Sequence, residues 1–288
     1  MGQLRRPTEL ARLDSGRVEY RFEEVGDRTV LLFHGGHMHA GMAMGEAAFT
    51  EVGYSVLAIT RPGYGKTDLP LPCSTAEFAD VVVSLCQQLG INQLAAVVGI
   101  SAGGPFATAL AARHPEFVER VILQSAVGPL SWPESKTRRV GRVIFGPPLE
   151  GLTWTMVRIL FRGMPNRVGL QMMAGELSNL SGQEVLAALS EAHQAQTLEL
   201  FGLMRSYSGF RNDLKVMHQP TEDEPQQPAL VIHSRHDGSV PFAHAEALHE
   251  SMPNSELIES SAVSHFLWFD DDWTRLTEYI RGFLGHAE

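Results

Sequence analysis

An α/β class, with a mostly parallel central sheet, helices on both faces and an inserted helical cap, is what this chain predicts, on three observations. Short β-type runs alternate with helical stretches, a rhythm that argues for parallel strands joined by helical crossovers. That rhythm breaks between about Gly128 and Pro228. A strand, a tight turn and a helix also meet at Gly99-Ile100-Ser101-Ala102-Gly103, with glycine at both ends of the turn.

Arg17 to Val25 and Thr29 to Phe33 read as the first two strands. Only the turn Gly26-Asp27 separates them, so an antiparallel pair is expected. Further strands fall at Tyr54–Thr60, Leu94–Ile100, Val118–Gln124, Ala229–His233 and Glu256–Glu259. Helical patterns fall near residues 75–89, 102–113, 243–251 and 271–284. Between Gly128 and Pro228 no strand is legible. Ser181-x-x-Glu184 forms a capping box there, and one long helical pattern runs on from it toward Arg205. The acidic, proline-bearing run Thr221 to Pro228 closes the region as a linker. The expected organisation is a core of residues 1–128 and 228–288, with residues 129–227 as a helical cap over the carboxyl edge of the sheet.

With 288 residues, 44% apolar and 19% charged, the chain has the composition of a soluble globular protein. A net charge of −10 argues against a polyanion, and no basic stripe interleaved with aromatics appears, so no nucleic-acid partner is expected. No window approaches the roughly 18 apolar residues of a membrane helix, so no membrane partner is expected either. Residues 1–7 lack the apolar core of a signal peptide. Cys73 and Cys86 make neither a disulfide framework nor a metal-ligand spacing, and Cys86 reads as a small buried hydrophobe on a helix. A cytoplasmic location follows as the expectation. Monomer and homodimer both stay open.

Ser101 sits at the apex of the glycine-flanked turn, where strain pushes the hydroxyl outward and the first amides of a helix point at the same spot. A serine hydroxyl needs a base to remove its proton, and the base needs a partner to hold its tautomer. Asp237 follows the strand Ala229–His233, and His265 follows the strand Glu256–Glu259. Loops past the carboxyl ends of strands are where open α/β sheets gather functional groups. The order Ser101, Asp237, His265 is the one this type of turn calls for. Asp213 and Asp223 are weaker candidates for the acid, and His233, His236 and His244 are local competitors for the base. Oxyanion donors are expected from the amide of Ala102 and from the loop His34-Gly35-Gly36-His37, with Gly36 first and His37 second. Gly65-Lys66-Thr67 imitates the end of a phosphate loop, but that motif needs glycine where Thr60 stands.

His34-Gly35-Gly36, Arg61-Pro62-Gly63-Tyr64-Gly65-Lys66-Thr67, the turn Gly99 to Gly103, Asp237 and His265 together resemble the α/β-hydrolase superfamily over residues 17–128 and 228–284. The Arg61–Thr67 stretch looks like that family's glycine-bearing loop after its fourth strand. Two departures stand out: His37-Met38-His39 follows where many relatives carry proline, and Ile100 precedes the serine where relatives often carry a polar residue. Dehalogenases and epoxide hydrolases of the fold use aspartate as nucleophile, so Ser101 points away from both. The resemblance implies a serine hydrolase acting on a small-molecule ester or similar acyl substrate, with no cofactor and no metal. Substrate contacts are expected from His37, Ile100, Met172, Met173 and Phe266. The cap's Met156, Met164, Met204 and Met217 join Trp132, Trp154, Phe161, Phe201 and Phe210 as candidates for an apolar lining. Rival activities are a carbon–carbon bond hydrolase, a cofactor-free perhydrolase, an aminopeptidase using Glu184, Glu191 or Glu199, and a ligand receptor.

Overall fold

The structure is a computed structural model that describes residues 4–133, 135–146, 149–163, 166–217 and 224–285. Its strands are Glu9–Leu13 (β1), Gly16–Glu23 (β2), Thr29–Phe33 (β3), Ser55–Ile59 (β4), Leu94–Ile100 (β5), Val121–Gln124 (β6), Ala229–Ser234 (β7) and Ser255–Ser260 (β8). They form one sheet in the order β1-β2-β4-β3-β5-β6-β7-β8. The β1/β2 and β2/β4 pairs are antiparallel, and every pair from β4 to β8 is parallel.

All residues of β3 to β7 are buried, as strands covered on both faces must be. Their alternate side chains feed two cores. Leu31, Phe33 and Val97 pack on one face with Phe78, Val82 and Leu85 of Thr75–Gln88 (α2) and Phe106 and Leu110 of Gly104–Arg113 (α3). Val30, Leu32 and Val98 pack on the other face with Phe49 of Ala47–Thr50 (α1). Leu276, Ile280 and Leu284 of Trp273–Leu284 (α11), four residues apart and so on one helical face, complete that core.

Six helices fill the stretch between β6 and β7 among the described residues: Ser135–Ile144 (α4), Leu149–Gly163 (α5), Asn166–Glu176 (α6), Gly182–Ala188 (α7), Glu191–Leu203 (α8) and Gly209–Val216 (α9). Ala243–Ser251 (α10) follows β7. The linker residues 221–223, including Asp223, lie outside the described residues.

Three sequence expectations need correction. β2 and β3 are not an antiparallel pair, because β4 stands between them. A strand buried along its whole length needs sheet neighbours on both edges, and β3 finds them in β4 and β5. The strand β1 was not anticipated; only its Ala11 is buried, so it leaves no apolar pattern to read. The long helix after Ser181 is two helices. Ser181 and Glu184 close the capping box of α7, but Leu189 is extended and Ser190 caps a new start, its hydroxyl accepting from the His193 amide at 3.2 Å.

Lys66 and Thr67 hold a turn together: the Lys66 amide donates to Glu19 Oε2 and the Thr67 hydroxyl to the Thr60 carbonyl. Cys73 and Cys86 are free and buried.

Candidate active site

β5 delivers Ser101 into a sharp turn that runs straight into α3, and the serine takes a positive φ of 51°. A non-glycine residue held there stores about 1–3 kcal/mol of strain. The close packing explains both flanking glycines. A Cβ on Gly103 would lie 2.3 Å from the Phe33 carbonyl oxygen, and one on Gly99 would lie 2.8 Å from Ala107 Cβ.

The loop after β3 leans directly on this turn. A Cβ on Gly35 would stand 3.0 Å from Ser101 Cβ and 3.5 Å from its Oγ, and one on Gly36 would stand 4.0 Å from Ala102 Cβ. The two expected donor amides, of Gly36 and Ala102, therefore belong to neighbouring backbone. His37, with φ 64°, is used differently. Its carbonyl accepts from the Arg205 amide at 2.8 Å. Its ring lies 4.6 Å from both Phe145 and Phe210 and 5.3 Å from Trp154. Burial, with the Arg61 charge nearby, lowers its pKa to about 3, so the ring is neutral. Its Nδ1 is 2.7 Å from Ser206 Oγ, which also accepts from the Trp154 indole at 2.7 Å. An indole N–H only donates, so Ser206 Oγ is the acceptor toward Trp154.

A buried ion pair secures the same loop from the other side. Arg61 donates to both carboxylate oxygens of Asp213 in α9, at 2.6 and 3.0 Å, and through Nε to the His34 carbonyl at 2.9 Å. The Tyr64 hydroxyl donates to Asp213 Oδ2 at 2.7 Å. Arg61 and Asp213 are both buried.

Asp237 lies just past β7 and accepts from His265 Nδ1 at 2.6 Å through Oδ2, while its Oδ1 accepts from the amides of Ser239 and Val240 at 2.8 Å each. The competitor His233 is a second support: its Nε2 donates to the Val240 carbonyl at 2.8 Å and lies 3.2 Å from the same Oδ2. Burial by itself would raise the Asp237 carboxyl, but the His265 and His233 rings outweigh it and hold the pKa at about 2. Asp237 is thus a buried carboxylate that fixes one face of His265.

The loop after β6 connects this pair with the serine. The Ser125 hydroxyl donates to the His265 carbonyl at 3.0 Å, and the Val127 amide donates to the Ser101 carbonyl at 2.9 Å. The segment after α6 adds a pin, with the Leu177 carbonyl accepting from the His265 amide at 2.9 Å and the Ser178 hydroxyl donating to the Val263 carbonyl at 2.6 Å. Sequence reasoning missed Ser125, His233, Leu177 and Ser178 in these roles. Only His233, four residues before Asp237 on the preceding strand, offered a signal.

A family model described as alpha/beta hydrolase fold matches residues 28–151. An uncharacterized hydrolase, YcgS, of Bacillus subtilis is 29% identical over 286 residues, covering 98% of this chain and 99% of the relative. The 2-hydroxy-6-oxononadienedioate/2-hydroxy-6-oxononatrienedioate hydrolase of Burkholderia vietnamiensis is 29% identical over 264 residues, covering 87% of this chain and 85% of the relative. Among solved structures, an alpha/beta hydrolase fold protein from Nakamurella multipartita superimposes with a TM-score of 0.79 at 23% identity, covering 96% of this chain and 99% of that one. The chain has the α/β-hydrolase fold.

Within this fold, the residues expected to touch substrate are placed unequally. Phe266 is buried, its ring 5.7 Å from that of His265. Ile100 is wholly buried in the second core with Ile122 and Ile232. Met173 packs on the edge of that core, whereas Met172 is 56% exposed. Trp132, Trp154, Phe201, Phe210, Met204 and Met217 are buried, but Met156 is exposed. Met164 and the side chain of Phe161 lie outside the described residues. Of the acids considered for binding an amine, Glu184 caps α7 and Glu199 accepts from the Leu4 amide at 2.9 Å.

Proposed function

We propose that this α/β-hydrolase is a serine hydrolase that cleaves an ester or similar acyl bond of a small-to-medium apolar substrate. One observation carries the reading. The strained Ser101 stands under the Gly35–Gly36 backbone, Asp237 grips His265 at 2.6 Å, and the loop after β6 bonds the His265 carbonyl through Ser125 and the Ser101 carbonyl through Val127.

In this mechanism Ser101 Oγ attacks the carbonyl carbon and passes its proton to His265 Nε2. Asp237 keeps Nδ1 protonated and stabilises the imidazolium. The amides of Gly36 and Ala102 receive the oxyanion, each worth on the order of 3 kcal/mol of transition-state stabilisation. The His37 amide is the second choice for that role. His265 then protonates the leaving group, and water activated by the same histidine releases the acid and restores Ser101.

Residues 129–227 act as the cap over this site, with Trp154, Phe145 and Phe210 around His37 supporting an apolar lining. The buried cation beside the site, Arg61, is neutralised by Asp213, so it offers no free counter-charge to an acidic substrate. A cytoplasmic location is part of the proposal, supported by two unpaired, buried cysteines. Carbon–carbon bond hydrolysis is the second reading, favoured by the likeness to the Burkholderia vietnamiensis hydrolase.

A panel of p-nitrophenyl esters of graded chain length and a fluorophosphonate probe test the proposal. Turnover that favours the longer acyl chains, with label on Ser101 and none on Ser101→Ala, is the expected result. Absence of both turnover and label overturns the serine hydrolase reading. Turnover of a vinylogous diketone with C–C cleavage products, and none of the esters, selects the second reading.

A further inference from the structure

The outer surface of the helical insertion departs from the rest of the molecule in hydropathy and in charge. On α5, Leu149, Leu152, Met156 and Ile159 recur every three or four residues and so form one stripe, the pattern that ordinarily faces a core. Here that stripe faces out: Leu152, Met156 and Ile159 are 59, 60 and 58% exposed, while Trp154 on the opposite side is buried against His37. Val143 of the neighbouring α4 is 61% exposed, next to the exposed Arg139 and Arg142.

The charge is as distinctive. Residues 135–168 hold seven of the chain's 23 Lys and Arg but one of its 33 Asp and Glu, which leaves 16 against 32 in the remainder. That single acid, Glu150, is buried and paired with Arg205. A net charge of −10 for the whole chain conceals this cationic segment.

We propose that the outer face of α4 and α5 docks on an anionic phospholipid surface, the aliphatic stripe entering the headgroup–acyl boundary and the arginines meeting the headgroups. Amphipathic helices with cationic flanks bind lipid in this way without spanning it. The expectation of no membrane partner rested on the missing spanning segment, a criterion that an interfacial face escapes. Charge decides against a second copy of the chain, because a symmetric contact through this face would bring two cationic sets together. Docking would set the lipid about one helix diameter, on the order of 10 Å, from the aromatic ring cluster at His37. The proposal concerns binding and does not depend on Ser101 being a nucleophile.

Flotation of the full chain with phosphatidylcholine vesicles, with and without about one third phosphatidylglycerol, tests it. Binding to the anionic vesicles is expected, with release as salt is raised. Arg139→Gln and Arg142→Gln should each lower the partition about five-fold. Leu152→Glu combined with Ile159→Glu should abolish it while thermal melting stays unchanged, since both side chains are exposed. Failure to bind anionic vesicles overturns the proposal, as does binding indifferent to these substitutions. A concentration-dependent dimer that the double substitution dissociates, without vesicle binding, assigns the face to a second copy instead.

Discussion

Ser101, Asp237 and His265 reach their positions through backbone at the ends of strands, whereas the insertion reaches the same site through buried side chains. On the sheet side, β5 and β7 point their last residues at the site, and amide or carbonyl bonds from Val127, Val240 and Leu177 complete the geometry. On the insertion side, Asp213 grips Arg61 and Ser206 meets His37, across 152 and 169 residues of sequence. A strand end is held by many shared ladder bonds, so one side chain can change there with the frame intact. A buried ion pair depends on both partners, and removing one leaves a charge without water or counter-charge. The sheet side should therefore lose chemistry without stability, and the insertion side should lose both together.

The largest expected effect comes from Ser101→Ala, which should lower kcat/KM for an ester by about 10⁴–10⁶-fold with an unchanged melting temperature. A melting temperature that fell sharply would break the contrast. Asp213→Ala should destabilise the fold by about 3–5 kcal/mol in urea titrations, because Arg61 stays buried and unpaired. Ester hydrolysis should fall with it, since Arg61 also holds the His34 carbonyl at the start of the donor loop.

Acid should act next. Burial lowers the pKa of His34 and His37 to about 3 and that of His244 to about 4. The unfolded chain then binds more protons below pH ~6.5, so stability is full above that pH and drains as pH falls toward the folded values. Denaturant titrations should show a loss of about 3 kcal/mol between pH 7 and 5.5, shrinking by about one third in His37→Phe. A flat profile would mean that these rings are not enclosed. The smallest effect belongs to Ser206→Ala, which removes one hydrogen bond from His37 and one from Trp154, at a cost of about 1 kcal/mol. Its signature is a raised KM with kcat little changed, because the ring is freed while the Gly36 amide stays in place.

Much of the sheet and its loops was legible because each signal is local. Ser101 follows an apolar strand between two glycines, and Asp237 and His265 each follow a strand within a few residues. The pairing of β2 with β4 was not legible, since strand neighbours are chosen by which edges must be covered rather than by the turn between consecutive strands. Nor was the break at Ser190, where one serine cap interrupts a pattern that otherwise continues as helix. His233 had been weighed only as a rival base; that its Nε2 supports Asp237 depends on the loop folding back over four residues.

By itself, the sequence determined the alternating class of the fold, the glycine-flanked serine and the order of the three candidate residues, because tight turns and buried strands impose their demands on neighbouring positions. Tertiary structure alone decided which charge meets Arg61, which hydroxyl meets His37, and which side of α5 faces water. Those outcomes depend on helices packing from the other end of the chain, and a buried charge or an exposed leucine reads the same in sequence wherever its partner lies.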